Sequence, residues 1–109
     1  MTLEILPAKP QALFFQAMSN SARMQILNLL RENGRMSVTQ ICSGLGMEQT
    51  HVSHNLRCLA FCGLVTASRE GKSRIYSING ETILPLLKIV DEHLRKYAVN
   101  LLTCDALER

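Results

Sequence analysis

The sequence predicts a mainly α fold with one small β-hairpin, and three observations carry that prediction. Apolar residues recur at helical spacing through most of the 109 residues. Short Gly- or Ser/Asn-containing breaks divide them into five helical segments. One stretch, residues 65–78, instead has strand-like runs on both sides of Glu70-Gly71-Lys72. The chain is 47% hydrophobic but holds no Trp, two Tyr and three Phe, so its core is expected to be aliphatic.

The elements follow in order. Pro10 suits the first turn of a helix, and Leu13, Phe14, Ala17 and Met18 continue it to about Met18. Ser19-Asn20-Ser21 breaks the chain and caps a second helix filled by Met24, Ile26, Leu27, Leu29 and Leu30, with Gly34 at its end. Met36 to Val38 fits a very short strand. Ser37 also fits the cap of a third helix, Val38 to about Leu45, with Ile41, Cys42 and Leu45 facing inward. Gly44-Leu45-Gly46 makes a tight turn. A fourth helix spans about Glu48 to Phe61, with Gly63 at its C-terminal cap. Val65 to Glu70 and Ser73 to Ile78 form the hairpin. A long fifth helix, about Glu81 to Leu102, repeats Ile83, Leu86, Leu87, Val90, Leu94, Tyr97 and Leu101 on one stripe.

Two short helices joined by a Gly turn, the second bearing many polar side chains, make a helix-turn-helix, and a hairpin directly after it is a wing. The expected organisation is a single winged helix-turn-helix domain over 1–109, with the helix-turn-helix at about 37–62 and the wing at about 65–78. The long helix has more apolar surface than one small domain covers, which points to a partner. Helices at about 10–18 and 81–102 are therefore expected to dimerise the chain. The alternative is that the long helix closes the core of one chain.

With Leu56 set at zero on a helical wheel, Val52, Leu59 and Gly63 cluster near it as the buried side. Gln49, Thr50, His51, Ser53, His54 and Arg57 offer hydrogen-bonding and charged side chains, concentrated in the half of a recognition helix that meets base edges and phosphates. Arg69, Lys72 and Arg74 place positive charge on the wing, as backbone contact requires. The net charge of +3 agrees with nucleic-acid binding without demanding it. No Cys-x-x-Cys, Gly-rich phosphate loop or nucleophile with a His/Asp pair is present, so no enzyme is expected. The start of the chain lacks the pattern of a secretory signal and no apolar run reaches membrane-span length, so a cytoplasmic protein with reduced thiols and no membrane partner is expected.

Cys58 and Cys62 are one helical turn apart, at about 200 and about 240 degrees on the same wheel, opposite Leu56. A thiol usually prefers burial, so two on an outward face, about 6 Å apart along the axis, read as half a metal site. Thiolates select soft ions. Two ligands are too few, and Cys104, just past the long helix, is the candidate third, from the same or the other subunit. Cys42 reads as a core residue.

The stretch from Glu48 to Leu59, with Val52-Ser53-His54-Asn55-Leu56-Arg57-Cys58-Leu59 and then Cys62-Gly63-Leu64-Val65, resembles the signature of the ArsR/SmtB family of prokaryotic metal-responsive repressors. So do Ser21 to Leu30 and the wing segment Arg69 to Tyr76. The resemblance covers about residues 12–100. It implies a homodimer that binds an inverted-repeat operator and leaves it when an inducer binds. The Cys58/Cys62 pair with a distal Cys104 is similar to the cadmium- and lead-sensing, CmtR-type members, which implies Cd(II) or Pb(II) as inducer, with Zn(II), Hg(II) and As(III) as alternatives. A thiol redox or sulfide sensor of the same fold is a further alternative. The family's zinc-sensing pattern on the last helix is not matched: the corresponding places hold Gly80, Thr82, His93 and Lys96.

Overall fold

A computed structural model describes residues 8–107. The element order is α1 (Ala8–Met18), α2 (Ser21–Asn33), β1 (Met36–Ser37), α3 (Val38–Leu45), α4 (Gln49–Phe61), β2 (Val65–Glu70), β3 (Ser73–Ile78) and α5 (Ile83–Leu102). The mainly α fold with a small hairpin is as expected. The chain divides into two compact units, the first ending at Asn79 and the second starting at Gly80.

In the first unit local chemistry sets the helix ends. The Asn20 side chain accepts from the Arg23 N–H at 3.1 Å, capping α2. At α3 the Ser37 hydroxyl accepts from the Gln40 N–H at 3.2 Å, while the Gln40 side chain accepts from the Ser37 N–H at 2.9 Å, a reciprocal capping box. The turn after α3 needs a left-handed residue, and Gly46 supplies it at φ 64°. α4 ends at Phe61, as its sequence suggests, with its cap one residue before Gly63. Cys62 is the capping residue and Gly63 follows, with the Leu64 N–H reaching back to the Leu59 carbonyl at 2.8 Å in a Schellman pattern.

The sheet has the order β1-β3-β2 and is antiparallel throughout. Glu70 pairs with Ser73 across a two-residue loop, Gly71-Lys72. Gly71 has φ 62°, and no residue other than glycine has positive φ among the described residues, so Lys72 is on the negative side. That is the type II′ pattern, whose twist suits a hairpin.

The core of this unit is aliphatic, as composition requires. Ile26, Leu27 and Leu30 of α2, Ile41 of α3, Val52, Leu56 and Leu59 of α4, and Leu64 are all at or near zero exposure, joined by Val65 and Tyr76 of the wing strands. Cys42 and Leu45, expected to face inward, are only half-buried. Their short helix commits one residue, Ile41, to the interior.

The second unit is α5 and the turn after it. Ile83 and Leu87 are buried, while Ile89, Leu94, Tyr97, Val99, Leu101 and Leu102 are exposed. The helix begins at Ile83 rather than Glu81, just as α1 begins at Ala8 rather than Pro10. In both, the proline (Pro85, Pro10) sits at the third position, not the first. The first four N–H groups of a helix have no internal partner, so any of these positions tolerates proline.

Candidate nucleic-acid interface and thiol pair

α4 carries both candidate sites because its faces differ. Val52, Leu56 and Leu59 are fully buried, fixing the helix on the first unit. Gln49, Thr50, His51, His54 and Arg57 are exposed and Ser53 is half-buried. On the wing, Arg69, Lys72 and Arg74 are exposed. Arg69 and Arg74 lie directly opposite each other in the β2–β3 ladder. Arg35 forms an ion pair with Glu70 at the wing tip, so the acidic residue there is already matched. Gln49, Lys72 and Arg74 line one cleft, together with Ser37, Val38, Thr39 and Ser73 at the start of α3 and the wing.

One residue on α4 has a role that the wheel does not reveal. Asn55 is a polar side chain only 3% exposed. Its amide donates to the His51 carbonyl at 3.0 Å, and its oxygen accepts from Arg23 Nη1 at 3.3 Å. The same guanidinium donates from Nε to the Ala17 carbonyl at 2.6 Å and from Nη2 to the Gln16 carbonyl at 3.3 Å. Arg23 therefore joins the last carbonyls of α1 to the middle of α4. The sequence signal was a basic residue one turn into α2, whose partner lies too far along the chain for periodicity to find.

All four cysteines are thiols. Cys58 is half-buried and Cys62 exposed, one helical turn apart at the C-terminal end of α4. Cys58 shares a cavity of about 350 Å³ with His54, Arg57 and Phe61, and Phe61 is 92% exposed. Cys62 shares one of about 280 Å³ with Pro10, Leu13, Phe14 and Ala17 of α1. Loss of water around its thiol pushes Cys62 above its ordinary pKa; Cys58 adds to this through charge and hydrogen bonding, and Arg23 acts in the opposite direction. Cys62 is exposed with a raised pKa, so its thiol is protonated at neutral pH. Cys104 belongs to the second unit, half-buried in the turn after α5. Among the described residues of one chain, no third Cys, His, Asp or Glu joins the pair in a cluster. His93 is exposed and stacks on Tyr97, with ring centroids 4.7 Å apart. No helix among the described residues is long and apolar enough to cross a membrane.

Residues 20–67 match the profile described as "Bacterial regulatory protein, arsR family". The crystal structure of Rv0081 from Mycobacterium tuberculosis is similar at TM-score 0.80 and 32% identity, over 90% of this chain and 98% of that one. The chain belongs to the ArsR family. A second structure, the homodimeric winged helix-turn-helix DNA-binding domain (fragment 1-100) of Mb0332 from Mycobacterium bovis, described as a possible ArsR-family transcriptional regulator, matches at TM-score 0.75 and 37% identity, over 86% of this chain and 90% of that one. The HTH-type transcriptional regulator Rv0324 of M. tuberculosis is 42% identical over 88 residues, which is 77% of this chain. The chain spans 38% of the length of Rv0324 and 59% of that of NmtR, a regulator from the same organism. Some relatives are named for metals: a probable mercury resistance operon repressor of Streptomyces lividans and a cadmium resistance regulatory protein CadC homolog of Staphylococcus aureus.

Proposed function

We propose that this ArsR-family chain is a DNA-binding repressor that acts as a homodimer on an inverted-repeat operator and releases it on binding a soft metal ion, Cd(II) or Pb(II). Gln49, Thr50, His51, Ser53, His54 and Arg57 on α4, with Arg69, Lys72 and Arg74 on the wing, are the DNA-contacting set. The exposure of all of them but the half-buried Ser53, with the α4 members beside a fully buried stripe, supports this reading. The homodimeric neighbour and the exposed apolar side chains of α5 support a second copy as partner.

The single observation that carries the inducer is the placement of Cys58 and Cys62 one turn apart at the end of the recognition helix, with Cys62 exposed. Two adjacent thiols are the donor chemistry that soft ions choose, and relatives named for mercury and cadmium agree with a metal. Cys104 is proposed as the third sulfur. The Cys62 thiol, its pKa raised by loss of water, gives up its proton on binding. Three thiolates around a divalent ion leave one net negative charge, placed on the element that faces DNA phosphates, and that weakens binding. A link from α4 to the tail also fixes the angle between recognition helices. Allosteric coupling of about 1–3 kcal/mol would shift affinity roughly 5- to 150-fold.

The test is an operator-release titration with cadmium, lead and arsenite on wild type, Cys58→Ser and Cys104→Ser, alongside the thiolate-to-metal ultraviolet band. Release by cadmium or lead that Cys58→Ser abolishes is the expected result. Release that survives Cys58→Ser rejects the site. A response to arsenite alone replaces the metal assignment, and a mass change on mild peroxide with no metal response replaces it with a redox switch.

A further inference from the structure

We propose that Arg23 is the relay between the thiol pair and the DNA-reading turns of α4. A metal ion held at Cys58 and Cys62 draws the Arg23 guanidinium away from Asn55, and the recognition helix loses a bond that sets its shape. This rests on the metal-responsive reading above and names the residue through which that site acts on DNA binding.

Three observations meet at this side chain. The first is position along α4. Asn55 and Cys58 are three residues apart and Cys62 is four further on, so all three share one face. That face runs outward from the core: Asn55 is buried, Cys58 half-buried and Cys62 exposed. A guanidinium bound to Asn55 therefore sits at the inner end of the stripe that the thiols continue. Along the axis, Asn55 is about 4.5 Å from Cys58 and about 10.5 Å from Cys62. Loss of water is the larger influence on the Cys62 pKa, and the charge of Arg23 opposes it, so the thiol and the guanidinium already act on each other.

The second observation is what Arg23 holds. Its acceptors are neutral: the Asn55 oxygen at 3.3 Å, the Gln16 carbonyl at 3.3 Å and the Ala17 carbonyl at 2.6 Å. Among the described residues no carboxylate pairs with it. When thiolates around a divalent ion create a net negative charge on the same stripe, Coulomb attraction favours that centre over a neutral amide. The third observation is what lies beyond each contact. The Asn55 amide donates to the carbonyl of His51, four residues back, at 3.0 Å. Such a bond biases the bend of a helix, and His51 belongs to the DNA-contacting set. On the other side, Ala17 lines the cavity onto which Cys62 opens. One cation thus touches the surroundings of the thiols and the turn that meets DNA.

The experiment uses the full chain, cadmium, and a duplex that the wild type selects from a random pool. Wild type is compared with Arg23→Gln and Asn55→Leu, each checked for folding by circular dichroism. Asn55→Leu removes the middle member of the relay with an apolar side chain of similar size, so the test survives an Arg23 variant that fails to fold. Cadmium binding is read from the thiolate-to-metal ultraviolet band, and duplex affinity is measured with and without the ion. The side-chain amide resonances of Asn55 are followed in wild type as cadmium is added without DNA. The expected result is cadmium binding in all three proteins, with a wild-type loss of duplex affinity of about 5- to 150-fold. In both variants that loss shrinks toward none, and in wild type cadmium shifts the Asn55 amide. A merely structural tie would change affinity equally with and without the ion; variants whose ratio matches wild type overturn the relay while metal sensing stands. An Asn55 amide that cadmium leaves unmoved overturns it too. A wild type that binds no cadmium, or binds it and keeps the duplex, rejects the inducer reading and the relay with it.

Discussion

Arg23 reaches across from α2 to hold the buried oxygen of Asn55 on α4, at 3.3 Å, while two of its other nitrogens bind carbonyls at the end of α1. One guanidinium thus fixes three helices, and the recognition helix is set in place by a polar tie as well as by Val52, Leu56 and Leu59. Arg23→Ala leaves the Asn55 oxygen buried without a donor. A hydrogen bond to a charged group contributes about 1.5–3 kcal/mol, so the urea midpoint should fall by that equivalent with the slope unchanged. Asn55→Leu, which removes the acceptor as well, should cost less than Arg23→Ala. The opposite order would mean that the tie to α1, not to α4, carries the stability.

Leu56 and Arg57 are neighbours with opposite exposure, the first fully buried and the second exposed. Leu56→Ala should destabilise by about 2–5 kcal/mol, the range for a truncated core leucine. Arg57→Gln should leave thermal stability within about 0.5 kcal/mol while weakening operator binding. Chemical denaturation and a DNA titration on the same two variants separate the roles, and a destabilised Arg57→Gln would place that side chain in packing.

The wing turn depends on Gly71 at φ 62°. Gly71→Val puts a β-branched side chain into a left-handed conformation and should cost more than about 1 kcal/mol locally. Proteolysis within residues 65–78 should accelerate while the global unfolding midpoint moves little. Unchanged cleavage would show that the hairpin tolerates another turn type.

The raised pKa of Cys62 sets a direction for metal binding. Lack of water around the thiol, with Cys58 beside it, keeps it protonated through neutral pH, so the metal must displace a proton from it. Cadmium affinity should therefore rise with pH, by about tenfold per unit for each thiol proton released. The rise should be one proton shallower in Cys62→Ser. An affinity that is flat between about pH 6 and 7.5 would mean the thiols are already ionised.

Much of this architecture was legible because its signals are local. The wing strands were read to the residue: their run of strand-forming side chains stops at a Gly turn that has only one hairpin solution. Spacing alone also placed Val52, Leu56 and Leu59 on the buried stripe of α4, while Gly63, expected with them, is exposed past the helix end. Helix starts were less legible, since Pro10 and Pro85 are tolerated anywhere in a first turn and do not mark its first residue. Cys62 is exposed as the wheel expects, while Cys58 is half-buried. Asn55 lies at the margin of the buried stripe, where a polar residue is ordinarily solvated. Its burial depends on an arginine from another helix, and no local pattern reports that. Ser37 read only as a helix-capping residue, because the wing that makes a cleft beside it folds back from later in the chain.

Ser37 ends β1, pairs with Ile75 of the wing and caps α3 in one position. The wing is therefore hydrogen-bonded to the first residue of the helix-turn-helix rather than hinged behind it. A rigid span between these two elements would make the protein a caliper. Duplexes whose groove width already matches that span would bind without deformation, while stiffer or wider sequences would have to bend to fit. Base pairs lying between the contacts, touched by no side chain, would then influence affinity through their mechanical compliance.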